Sequence, residues 1–172
     1  IQEVFDNIGE ASMISLFDLL SGYWQVVIRE QDRQYTAFSD GYETFQFKRC
    51  PMGLATSGSI FCRTVNNILR HDEHGPLLHV VVDMIVDDGS IHSDTDEEHP
   101  EHVCRVLKQL WRNTVTVKMS KCIWGAREAH LLGNVIRCKE GTAADPEKTA
   151  DIIAMKRPHI KQVLQSRLGS CV

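Results

Sequence analysis

Apolar positions along the chain change period several times, and each change marks a candidate element. Residues 15–18 look like a strand end, and residues 23–28 (YWQVVI) form a second β-favouring run. Residues 35–39 and 42–47 are aromatic-rich runs joined by Asp40-Gly41, a pairing that predicts a hairpin. Between Gly53 and Arg70 the residues Leu54, Phe61, Val65, Ile68 and Leu69 approximate helical spacing, which predicts a helix. Residues 80–86 predict a strand, Asp87-Asp88-Gly89 a turn, and residues 90–92 the returning strand, so that acids stand at the tip of a hairpin. Thr95-Asp-Glu-Glu98 matches a capping box and predicts a helix with Val103, Leu107, Leu110 and Trp111 on its apolar face. Residues 115–119 and 130–136 alternate like strands, with Gly141 in a turn beyond. Asp145-Pro146 supplies an N-cap and a first-turn proline for a helix that runs towards Lys156 and stops before Pro158.

The resulting order mixes helices with antiparallel hairpins and lacks strict βαβ alternation, which predicts an α+β fold. No repeat, low-complexity tract or linker-like run interrupts it, so one continuous domain is expected. The composition, 42% hydrophobic and 24% charged over 172 residues, is that of a globular chain. Apolar stretches fall far short of the roughly 20 residues that span a bilayer. The first residues, IQEVFDNIGE, lack the basic and apolar regions of a signal peptide. A soluble intracellular protein with no membrane partner is the expectation, and an initial Ile suggests a piece of something longer.

The 6 cysteines include no C-x-x-C pair, so reduced and mostly buried thiols are expected rather than a zinc ribbon or a disulfide framework. The cluster His99, His102 and Cys104, near His92, could bind a metal, but its spacing matches no structural zinc pattern and the histidines read as solvated. A net charge of -4 argues against bulk electrostatic gripping of nucleic acid. Local clusters leave room for a basic stripe: Arg112, Lys118, Lys121 and Arg127 in one segment, and Lys156, Arg157, Lys161 and Arg167 near the end.

The stretch VVVDMIVDDGSIHS (residues 80–93) carries the most chemistry, because it puts Asp83, Asp87 and Asp88 into an apolar strand. A carboxylate removed from water is unfavourable unless paired, hydrogen-bonded or bound to a cation. Alone, Asp87-Asp88-Gly89 is a tight turn and Asp18 a strand-terminal acid. Together they suit phosphoryl transfer by two divalent ions about 3.5–4 Å apart, which need acids from adjacent strand ends.

Seven segments, in order and spacing, extend this pattern: FDLLSGYWQVVI (residues 17–28), QYTAF (34–38), CPMGLATSGSIF (50–61), IVDDGSIHS (85–93), VKMSKCIWG (117–125), LLGNVI (131–136) and DPEK (145–148). The chain resembles the reverse transcriptase of gypsy-type long-terminal-repeat retrotransposons over nearly its whole length. The resemblance implies a polymerase palm, an antiparallel sheet backed by helices, with part of the fingers. It implies that Asp18 and Asp87 bind Mg²⁺ (or Mn²⁺) with Asp88 beside them, and that Lys121 donates a proton to departing pyrophosphate. Tyr23 corresponds to the aromatic that stacks under the nucleotide sugar and rejects a 2′-hydroxyl. Pro51, Met52 and Gly53 correspond to the lining of the nucleotide and template site, and Leu132 and Gly133 to the hairpin that holds the primer. The implied partners are an RNA or DNA template with its primer, a deoxynucleoside triphosphate, and the fingers, thumb and ribonuclease H of a polyprotein. The implied location is a cytoplasmic virus-like particle.

The chain departs from that family at several positions. Ile85 stands where an aromatic usually precedes the acid pair. Asp83 replaces an apolar residue and reads as an added acid near the metals or as a destabilising substitution. ATSGS (residues 55–59) replaces an asparagine and a proline, with Thr56, Ser57 and Ser59 as substitute caps. The expected division is a palm with partial fingers over residues 1–158 and the start of the thumb or connection over 159–172. Upstream fingers strands, thumb, ribonuclease H and integrase are expected to be missing. Two other readings follow: a catalytically inactive remnant of such a domain, and an interaction module in which Asp18 lies far from the hairpin tip.

Overall fold

A computed structural model of the chain describes residues 2–146, 150 and 161–162. The expected helix beyond Pro146 and the segment 159–172 lie outside these residues, save for Ala150, Lys161 and Gln162. Helix α1 (Gln2–Glu10) leads into strand β1 (Met13–Asp18) and a single helical turn, α2 (Gly22–Gln25). A 3-10 helix over Glu30–Thr36 precedes the small hairpin β2 (Phe38–Ser39) and β3 (Thr44–Phe45). Helix α3 (Ser57–Leu69) follows, then a second small hairpin, β4 (His71–Asp72) and β5 (Gly75–Pro76). Strands β6 (Val82–Ile85) and β7 (Asp88–Ser93) form the acidic hairpin and lead to helix α4 (His99–Arg112). The chain continues through a 3-10 turn at Met119–Lys121 into β8 (Ile123–Ala126), β9 (Glu128–Leu131), β10 (Asn134–Arg137) and β11 (Gly141–Ala144).

Two antiparallel sheets organise these elements, a four-stranded one in the order β6-β7-β1-β8 and a three-stranded one in the order β11-β10-β9. Strand β1 is buried on both faces because successive side chains alternate. Phe17 joins Phe61, Val65, Val82, Ile91 and Leu110 in a core shared with α3 and α4. Ile14 and Leu16 point the other way, into a core built with Phe5 and Ile8 of α1 and Leu131 and Ile136 of the second sheet. The central strand is thereby clamped from both sides, and its C-terminal end is held at a fixed place. Across the helical layer, Arg105 of α4 grips Asp72 with two hydrogen bonds of 2.8 Å. That contact, together with the amide of His74, holds the Asp72 carboxyl down at about 2.

The α+β expectation holds, and so does the Asp40-Gly41 hairpin, but several element boundaries differ. Residues 23–25 are helical, because Ser21 turns left-handed (φ 50°) and lets Tyr23 fold onto Phe61; packing overrides β propensity. Tyr35 and Thr36 belong to the 3-10 helix. Helix α3 starts at Ser57, since Gly53 sits at φ 90°, outside the helical region. Thr56 makes no side-chain cap; Ser57 Oγ donates to Pro51 O at 2.8 Å and Ser59 Oγ to Thr56 O at 3.0 Å. Helix α4 starts at His99 with Pro100 in its first turn, and Thr95 Oγ1 only weakly accepts from Glu98 N, at 3.4 Å. Its inner face is His99, Val103, Val106 and Leu110, whereas Trp111 is 78% exposed. Residues 115–119 form no strand; they pair with the chain at the end of β1 in one isolated bridge, Leu19 to Val117, and Val115 and Val117 pack against the main core. Residues 130–136 turn at Leu132-Gly133 and so split into β9 and β10. Gly141, expected in a turn, instead opens strand β11 opposite Arg137. Helix α1, strands β8 and β11 and the β4–β5 hairpin had no expectation from the sequence.

The histidines are not solvated as expected. His99, 3% exposed, accepts and donates through both ring nitrogens, to Ser15 Oγ at 2.7 Å and Ser93 Oγ at 2.8 Å, and His102 shares Ser93. Burial pushes the His99 imidazole below its usual pKa, and the neighbouring His102 adds to that. The cysteines among the described residues are free thiols, but Cys50 alone of these is fully buried. The basic segment does not form a stripe: Arg112 pairs with Glu73, Lys121 with Asp18 and Arg127 with Asp96. Among the described residues no helix is long and apolar enough to cross a membrane.

Candidate active site

Strand pairing brings the three acids to one end of the central sheet. Asp18, the last residue of β1, lies directly opposite Asp88, the first residue of β7, and Leu19 N donates to Asp87 O at 3.3 Å. Ile85 pairs with Asp88, so Val86 and Asp87 form a two-residue hairpin connection. Val86 adopts φ 59°, a left-handed conformation that a β-branched residue enters only under constraint. Two glycines make the close approach possible. A Cβ on Gly89 would lie 2.1 Å from the Phe17 ring, and one on Gly22 would lie 2.7 Å from Phe61 and 3.0 Å from Asp87 Oδ1.

The electrostatics of this corner are strained in a consistent direction. Burial pushes the Asp87 carboxyl above its ordinary value, and the charges of Asp18 and Asp88 push it further. Asp88 is raised by burial and then by Asp18, with Lys121 opposing. Asp87 Oδ1 is buried and has no hydrogen-bond partner among the described residues. Lys121 supplies the local cation: its Nζ donates to Asp18 Oδ2 at 2.6 Å, and that bond raises the ammonium pKa. Among the described residues no three His, Cys, Asp or Glu side chains are grouped closely enough to hold a metal ion as they stand. The orphaned oxygen and the two raised carboxyls nevertheless fit a cation better than they fit one another.

A cleft of about 290 Å³ opens beside the acids and is lined by Asp18, Asp88, Lys121, His130 and Leu132, among others. Leu132 and Gly133 form the two-residue turn between β9 and β10, with φ of 50° and 74°, both positive as a type I′ turn requires. The sequence-derived residues Asp18, Asp88, Lys121 and Leu132 thus meet in one cleft, with Asp87 and Gly133 adjoining it in the same hairpins. Tyr23, Pro51, Met52 and Gly53 do not line that cleft. Tyr23 stacks on Phe61 of α3 at 4.9 Å between ring centroids, on the turn that begins with Gly22. Pro51 is buried, Met52 is 63% exposed, and Gly53 lies in the loop that Ser57 ties to α3.

Asp83 is neither an extra acid at the cleft nor a bare buried charge. It is 0% exposed, with Oδ1 2.6 Å from His79 Nδ1 and Oδ2 3.2 Å from His92 Nε2. Burial raises its pKa, but the two histidine contacts outweigh burial and the net shift is downward. Ile85, on the same strand, packs against the core around Ile14 and Leu16. The sequence reading missed His130, which lines the cleft and whose Nδ1 lies 3.1 Å from Asp145 Oδ2. It also missed Gly22 and Gly89; their position beside the acids was the signal that could have revealed them.

Comparison with known proteins agrees with this geometry. The family described as reverse transcriptase (RNA-dependent DNA polymerase) matches residues 2–136. The chain is 32% identical over 169 residues to the retrovirus-related Pol polyprotein from transposon gypsy of Drosophila melanogaster, covering 98% of this chain and 16% of that protein. It is 28% identical over 138 residues to polyprotein P3 of Commelina yellow mottle virus, covering 80% of this chain and 7% of that protein. Among solved structures, the foamy viral protease-reverse transcriptase in complex with RNA/DNA hybrid superposes with a TM-score of 0.81 at 25% identity, over 98% of this chain and 22% of that one. The same enzyme with dsDNA gives 0.82 at 25% identity, over 99% of this chain and 34% of that one. The chain thus spans a minor part of each relative. The match runs through the central sheet and both helices that back it, and the chain therefore belongs to the reverse transcriptase (RNA-dependent DNA polymerase) family.

Proposed function

We propose that the chain is the palm, with part of the fingers, of an RNA-directed DNA polymerase, and works within a longer retrotransposon polyprotein. The reaction is attack of a primer 3′-hydroxyl on the α-phosphate of a deoxynucleoside triphosphate. Asp18, Asp87 and Asp88 would hold divalent Mg²⁺ or Mn²⁺, which supplies charge to activate the hydroxyl and to neutralise the phosphates. Lys121 Nζ carries a proton beside these acids and gives it to the departing pyrophosphate. Tyr23 sits under the nucleotide sugar, where its ring excludes a 2′-hydroxyl, and Pro51, Met52 and Gly53 line the nucleotide and template side. Leu132 and Gly133 hold the primer terminus over the cleft. Base pairing with the template carries sequence information, so the protein reads backbone and shape.

One observation carries this reading: Asp18 stands opposite Asp88 on paired strand ends, beside a buried Asp87 oxygen that lacks a partner among the described residues. The testing experiment is Mg²⁺-dependent primer extension by the full polyprotein, which Asp87→Asn should abolish. Extension that persists in that variant rejects the assignment. A second reading, a folded remnant without catalysis, is favoured by Ile85, which packs into the apolar core where family members carry an aromatic. Metal binding that disappears when Asp18 is replaced counts against the remnant.

A further inference from the structure

Helix α2 is four residues long, a length at which a helix has no stability of its own. Packing holds only one side of it, where Gly22 is buried and Tyr23 stacks on Phe61; a cavity of about 380 Å³, lined by Gly22, Gln25, Phe61, Ile68 and Val115 among others, lies beside the turn. The Gln25 side chain supplies a second restraint. Its Nε2 donates to Leu20 O at 2.7 Å and to Thr116 O at 2.9 Å, while Oε1 accepts from Thr116 N at 2.7 Å. Both amide protons and the carbonyl oxygen are therefore engaged. Its main-chain oxygen also accepts from Arg49 Nη1 at 2.8 Å, in the segment that leads to Pro51.

Thr116 belongs to the stretch that holds the acid of β1. Leu20 N donates to Thr116 O at 2.9 Å, Lys118 N donates to Asp18 O at 2.8 Å, and Lys121 Nζ reaches Asp18 Oδ2 at 2.6 Å. One side-chain amide thus fixes the turn carrying Tyr23 against the segment carrying the partners of Asp18.

We infer that Gln25 is a positioning residue for nucleotide selection: its amide sets where the Tyr23 ring stands relative to the acids, and so sets discrimination between deoxyribo- and ribonucleotides. The inference rests on the sugar-excluding reading of Tyr23. A shift of about 1 Å in such a group is enough to change a rate by orders of magnitude.

The test compares Gln25→Met, which keeps the length of the side chain and removes its three hydrogen bonds, with Tyr23→Val as a reference. In the full polyprotein, the ratio of kcat/KM for a deoxynucleotide to that for its ribonucleotide should fall at least tenfold in both variants. If it falls in Tyr23→Val and holds in Gln25→Met, the inference is overturned while the reading of Tyr23 stands. If it holds in Tyr23→Val, that reading fails and the inference falls with it. Amide hydrogen exchange on the chain decides the case in which Gln25→Met is too weak to assay. Exchange should quicken at least tenfold at Trp24, Val26 and Thr116 with strands β1 and β7 unchanged. Quickened exchange throughout the chain marks a general stability defect and overturns the inference.

Discussion

Lys121 and Asp18, separated by 103 positions in the chain, meet through a single hydrogen bond of 2.6 Å from Nζ to Oδ2. The lysine offsets part of the repulsion among three acids, and the same charge acts on Asp87 and Asp88. A cation seated on Asp18 also competes with any other cation for that carboxylate. Lys121→Met should therefore tighten Mn²⁺ binding several-fold, as read by calorimetry, while slowing primer extension about 10²-fold through loss of a proton donor. Weaker metal binding in this variant would contradict the competition.

The raised Asp87 carboxyl predicts a pH effect of definite sign. Burial, Asp18 and Asp88 make the folded, metal-free chain hold this proton more tightly than the unfolded chain does. The group's contribution to stability is present below the ordinary carboxylate value and is lost as pH rises through the raised one. Asp87→Asn should raise Tm at pH 7 by about 2 °C, a modest figure because solvent screens part of the repulsion. The gain should shrink towards pH 4. A lower Tm for the variant at pH 7 would be inconsistent with a repulsive acid corner.

Gly89 lets the acidic hairpin lie on the Phe17 ring, and an added methyl would stand 2.1 Å from it. The ring is buried on β1 in the main core and cannot withdraw freely. Gly89→Ala should destabilise the chain by about 2–3 kcal/mol in urea unfolding. A loss below about 0.5 kcal/mol would show that the hairpin has room to move.

Asp83 gives a third stability prediction, since its two histidine partners would be left without an acceptor. Asp83→Ala should cost about 3 kcal/mol at pH 7. The folded carboxyl is lowered on balance, so its contribution is present above the unfolded value and fades as pH falls through the folded one. The difference between wild type and variant should accordingly shrink in urea titrations below pH 4. A variant as stable as wild type at pH 7 would return Asp83 to the status of a damaging substitution.

Much of the site was legible because it rests on local rules. Acids in an apolar strand demand partners, and the short spacing between residues 85 and 93 fixes a hairpin that presents them. The α+β order was likewise visible in the changing period of apolar positions. What failed required contacts that the sequence does not encode locally. The run after Ser21 reads as a strand until Phe61, far along the chain, offers Tyr23 a stacking surface. Asp83 reads as an anomaly until His79 and His92 close around it. His99 reads as solvated because nothing local shows that Ser15 and Ser93 will bury it. Residues 115–119 alternate like a strand, but beyond the bridge at Val117 the Thr116 amide is bonded by the Gln25 side chain, a partner 91 positions away.

The most direct measurement is a calorimetric Mn²⁺ titration of the chain beside its Asp18→Asn and Asp87→Asn variants at pH 7. A pocket formed by strand-end acids predicts saturable binding to the wild-type chain that either substitution reduces at least tenfold. Binding that is absent from the wild type, or equal in all three proteins, would contradict a metal-holding role for these acids.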